Sequence, residues 1–107
     1  MVGEPHIEVT LIELSLDWES LLDLEGISSE SGYRIRRLIN RAQPLADKMF
    51  LKTVKGREMV LQCSEKTRVL RGELESRGER LFSALTELER LYEELLKRAY
   101  EFRVKAG

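Results

Sequence analysis

The sequence is poor in the residue types that most often carry chemistry. Cys63 and His6 are the only cysteine and histidine. A lone cysteine excludes an intrachain disulfide and fits a reducing compartment. There is no C-x-x-C, no H-E-x-x-H and no D-x-D-x-D-G loop, so neither a metal site nor a cofactor is expected. His6 has no Asp or Cys at a telling spacing and reads as an exposed side chain. Aromatics make up 7% of the chain, which argues against a stacking platform for single-stranded nucleic acid. No run approaches the ~18 apolar residues that span a bilayer, so no membrane association is expected. The first residues lack a basic region and are interrupted by Glu4, Glu8 and Glu13, so a cytoplasmic protein is expected.

What the chain has is charge, unevenly placed. Residues 1–32 hold eight carboxylates and no Lys or Arg, whereas 33–57 hold eight bases and one acid, Asp47. The rest holds ten of each sign, so a net charge of −1 hides blocks of −8, +7 and 0. Such segregation implies either that two segments lie against each other or that one meets a charged partner.

Apolar residues recur at alternating spacings of three and four in four segments, the mark of one buried helical face. These are Ile7 to Leu22, Ile35 to Phe50, Val60 to Leu74 and Leu81 to Phe102. Gly26 followed by Ser28 and Ser29 ends the first and caps the second. Gly56, after Lys52 and Lys55, reads as the glycine that closes a helix. Ser76 to Glu79 matches an S-x-x-E capping box. At 107 residues the chain is expected to be a single helical domain, 1–107. The expected fold is mainly α: an antiparallel bundle of three or four helices with a long C-terminal helix.

Two features support a rival α+β fold. Pro44 interrupts the second stripe, and residues 6–14 are rich in β-branched side chains. That alternative has a small sheet of strands 6–14, 50–54 and 59–63, turning at Lys55-Gly56, and a long C-terminal helix. Gly72 and Gly78 leave open whether 57–103 is one helix or two; each costs only roughly 1 kcal/mol inside a helix.

No motif points to catalysis, and Cys63 falls on an apolar stripe where an inert buried thiol is expected. The strongest seam, Leu81, Leu85, Leu88, Tyr92, Leu95 and Phe102, resembles a coiled-coil edge and is expected to meet another helix, within the chain or across a dimer. Trp18 reads as a core aromatic. Arg34, Arg37, Arg41, Lys48, Lys52 and Lys55 fall within roughly 60° on one continuous helix and form a candidate contact for an anion or nucleic acid. The simpler expectation is that the acidic opening segment lies beside this basic one and neutralises it. The expected function is therefore non-enzymatic: a protein-interaction or assembly module (adaptor, complex subunit or small chaperone) that self-associates through its C-terminal helix and binds a protein partner. The alternative is nucleic-acid binding by the basic helix 33–57.

Overall fold

Thr10 starts the first helix. In the computed structural model, which describes residues 10–45, 49–76 and 83–106, α1 spans Leu11–Leu21. The Thr10 hydroxyl accepts the Glu13 N–H at 3.1 Å and donates to the Glu13 carboxylate at 3.1 Å, the hydroxyl half of the capping-box motif in Thr10-Leu11-Ile12-Glu13. That cap starts a helix within the segment expected as a strand, at Leu11. Gly26, at φ 85°, reverses the chain in a region that favours glycine. Ser28 then accepts the Ser31 N–H at 3.1 Å and opens α2, Ser29–Leu45.

Pro44 sits in the last turn of α2, which ends one residue later. The stripe expected to continue to Phe50 is thus broken, because proline admits no further helical hydrogen bond at its own nitrogen. A short 3-10 turn, Met49–Lys52, follows, and Thr53 caps α3, Val54–Glu75, by accepting the Gly56 N–H at 3.0 Å. Gly56 therefore opens a helix instead of closing one. It is buried in the first turn of α3, and a Cβ there would meet the Phe50 carbonyl oxygen at 2.1 Å. The absence of a side chain lets the 3-10 turn fold back onto α3.

Ser76 ends α3 as its C-cap; the rest of the expected capping box, Arg77 to Glu79, lies outside the described residues. The last helix, α4, spans Ser83–Ala106, so 57–103 is two helices. Among the described residues there is no strand: 11–14 and 54–63 are helical, which overturns the small sheet. His6 and the rest of the proposed first strand lie outside the described residues.

The helices form a bundle of two hairpins. α1 touches α2 and α3, and α4 touches α3 and α2. Trp18 reaches Thr67 and Ser20 meets Arg71, so α1 and α3 run the same way. Arg34 with Glu89 and Arg41 with Glu93 set α2 parallel to α4. Phe50, just ahead of α3, lies 5.8 Å from Phe102 near the end of α4, so that hairpin is antiparallel. Consecutive helices α2 and α3 occupy opposite corners, which the turn at 49–52 connects.

The core is held across its diagonal. Trp18 and Tyr92 meet edge to face, with centroids 5.4 Å apart at 84°. The Trp18 indole N–H donates to the Thr67 hydroxyl at 2.9 Å, which donates to the Cys63 carbonyl at 2.8 Å. Each polar atom of that chain is thereby satisfied in an apolar interior.

Candidate interaction surface

The C-terminal seam is core. Leu85, Leu88, Tyr92 and Leu95 are 0% exposed within the single chain, and Phe102 is half-buried against Phe50. Leu81 lies outside the described residues. The side chains expected to meet a second chain are already covered by the chain's own helices. Periodicity shows that a face is covered; it does not say by which chain.

The basic ridge is likewise not one ridge. Its continuity assumed a helix running through Pro44, and the structure distributes it over three elements. Arg34, Arg37 and Arg41 are on α2, Lys52 is on the 3-10 turn and Lys55 is in the first turn of α3. Lys48 lies outside the described residues. Arg34 grips Glu89 of α4 with two guanidinium nitrogens, the Nε bond measuring 2.9 Å, and reaches Thr86 at 3.2 Å. Arg41 pairs with Glu93 of α4. That hydrogen bond holds the Glu93 carboxyl below the usual carboxylate range, with the Arg37 charge adding to it. Lys55 sits 3.6 Å from Glu58 of its own helix. Arg37 and Lys52 are exposed.

Among the described residues the ion pairs between helices made by the basic block run from α2 to α4, and the acidic segment beside it in sequence acts on Arg34 only through the charge of Glu30. Glu89 and Glu93 lie off the apolar seam of α4, and the sequence did not single them out. The signal for their role was their i,i+4 spacing on the flank of a buried seam, where a charged side chain can reach the adjacent helix. The third and fourth helices are bridged in the same manner by Lys66 and Glu87 at 2.6 Å, and Arg98 pairs with Glu94 at 2.9 Å within α4.

The acids of the first hairpin are left over. Glu13, Asp17, Glu19, Asp23 and Glu25 are exposed, and none is within ion-pair distance of a basic group among the described residues. Arg71 of α3 does reach α1, where it donates to the Ser20 hydroxyl. Among these acids Ile12 and Leu16, one turn apart, are each 58% exposed. Across the hairpin, α2 exposes Tyr33 (62%) with Arg36 and Arg37, and neither arginine has an ion-pair partner among the described residues. The first hairpin thus exposes apolar side chains with carboxylates on α1 and an aromatic one with arginines on α2.

Inside the bundle, Cys63 is buried and desolvation pushes its thiol up to about 12. It stays protonated at neutral pH, and a thiol, unlike a thiolate, is a poor nucleophile. Burial raises the Tyr92 phenol too, and its oxygen has no hydrogen-bond partner among the described residues. Among the described residues no three His, Cys, Asp or Glu side chains cluster to hold a metal ion, and no helix is long and apolar enough to cross a membrane. Compared with known proteins, the chain matches no family model, no curated protein and no solved structure.

Proposed function

We propose that this protein is a non-enzymatic interaction or assembly module that works in the cytoplasm and docks through the outer face of its first hairpin. The observation that carries the reading is that α1 exposes Ile12 and Leu16 together with Glu13, Asp17 and Glu19, none of which has a cationic partner among the described residues. Glu13 and Asp17, one turn apart on the helix, repel each other, and no cation among the described residues offsets that repulsion. A partner supplying cations and an apolar contact gains from both features. A role in nucleophilic chemistry finds less support, because the chain's thiol is buried and protonated. The lone thiol suits a reducing compartment.

The test is cross-linking and mass spectrometry of captured complexes, with and without nuclease, using the wild type and Leu16→Asp. Leu16 is exposed, so this change leaves the core intact. The expected result is a protein cross-linked to the first hairpin, resistant to nuclease and lost with Leu16→Asp. Capture that disappears with nuclease and falls steeply with salt would transfer the function to the cations of 33–57. Capture indifferent to Leu16→Asp would overturn the proposed surface.

A further inference from the structure

We infer that the occupant of this surface is a basic amphipathic helix of a protein partner, laid along the outer side of α1. The inference rests on the docking role proposed for the first hairpin and names the chemistry of its partner.

The buried stripe of Leu11, Leu14, Trp18 and Leu21 turns one side of α1 to the core. At about 100° per residue, Leu16 points about 180° and Ile12 about 140° from the centre of that stripe. These two apolar side chains, one turn apart, therefore form the outermost line of the helix, and both are exposed. Carboxylates flank them. Glu19 and Glu13 lie about 60° to either side of Leu16, and Asp17 about 100° from it on the Glu13 side. Ser20, which meets Arg71 of α3, shares the side of Glu13 and Asp17, so that edge is the one towards α3. Leu22 marks the other edge, where Glu19 stands: a Cβ on Gly32 of α2 would come within 4.0 Å of its side chain. No position from Leu11 to Leu21 carries a Lys or Arg.

An apolar pair one turn apart, with charge on both edges, is the pattern by which one helix packs on another. The seam supplies contact and the edges select the partner by charge. Both edges of α1 are negative, so the matching helix has aliphatic side chains on its seam and Lys or Arg on its flanks. Other occupants fit less well. An added β-strand needs free backbone groups, and those of α1 are spent within the helix. A phosphate chain or an anionic bilayer is repelled by three exposed carboxylates that no cation offsets among the described residues. The 11 residues of α1 offer roughly 16 Å of helix, so the contact is short and the complex weak and salt-sensitive.

The experiment is a fluorescence-anisotropy titration of labelled peptides with the full chain, at low and moderate salt. The probe is a synthetic helix of about 18 residues, with leucines at spacings of three and four and lysines on both flanks. One control has the same composition with its leucines dispersed, and a second carries glutamates in place of the lysines. The wild type is expected to bind the probe at least about 10-fold more tightly than either control. Leu16→Asp should abolish that preference, although its added negative charge would favour mere attraction of a polycation. Asp17→Lys with Glu19→Lys should weaken probe binding at least about 10-fold, with helicity unchanged by circular dichroism. Equal binding of the probe and the dispersed control overturns the inference, as does a probe affinity that either variant leaves intact. If the probe fails but Leu16→Asp still abolishes cross-links to a protein, the basic helix is rejected and the docking face survives.

Discussion

The two hairpins of this bundle handle charge in opposite ways. The second, α3 with α4, is bridged by Lys66 and Glu87 and carries further pairs within its helices. The first, α1 with α2, sets an acidic helix beside a basic one without an ion pair between them among the described residues. Arg34 and Arg41 of α2 turn instead to α4. Adjacent blocks of opposite charge do not guarantee pairing, because pairing depends on which side of each helix the charges occupy. The core fixes that side. Arg34 and Arg41 flank the buried stripe on the α4 side, while the α1 acids ring the face farthest from the core.

Substitutions on α1 offer the largest break in this comparison. Trp18→Ala should cost about 3–5 kcal/mol, as expected for a buried tryptophan, with an added loss at Thr67 and Tyr92. Leu16→Ala, on the other side of the same helix, should stay within about 0.5 kcal/mol. Urea denaturation at low concentration reads both, and equal effects would contradict the assigned faces.

Next come the two glycines of α3. Alanine at Gly72 meets nothing within 4 Å and should stabilise the protein by about 1 kcal/mol, the usual helix gain. Alanine at Gly56 drives a methyl into the Phe50 carbonyl, so the change in midpoint should have the opposite sign and about 2 kcal/mol or more in size. A stabilising Gly56→Ala would show that the 3-10 turn does not press on α3.

Tyr92→Phe should produce a smaller effect, again in an uncommon direction. Its hydroxyl is buried without a partner among the described residues, and a polar group left unsatisfied costs about 1–3 kcal/mol. Removing it should raise the thermal midpoint slightly while leaving the edge-to-face contact with Trp18 in place. A clear fall in the midpoint would mean that the hydroxyl is hydrogen-bonded.

Most of the helical architecture was legible in the sequence. The three-and-four spacing put Leu14, Trp18, Cys63 and Leu70 on apolar faces, and all are buried; Leu88 and Leu95, expected at an interface, are covered by their own chain. What periodicity could not supply was the identity of the neighbour. The α4 seam would look the same whether its own chain or a second chain covered it. The strand reading of 6–14 weighed β-branching and passed over the Thr10–Glu13 box. Gly56 was misread because a helix end and a close backbone approach both favour glycine. The basic stripe failed at Pro44, since a helical wheel carried through a break assigns directions that no longer exist. The acid partners on α4 were invisible because a charge beside a seam is ambiguous until the adjoining helix is known.

A double-mutant cycle tests the central claim most directly. Arg34 and Glu89, joined across α2 and α4, should show a coupling of about 1 kcal/mol in chemical denaturation. Glu19 and Arg36, on adjacent helices of the first hairpin, should show none. The reverse result, with coupling between Glu19 and Arg36 and none between Arg34 and Glu89, would mean that the hairpin neutralises itself and has no charged face left to offer.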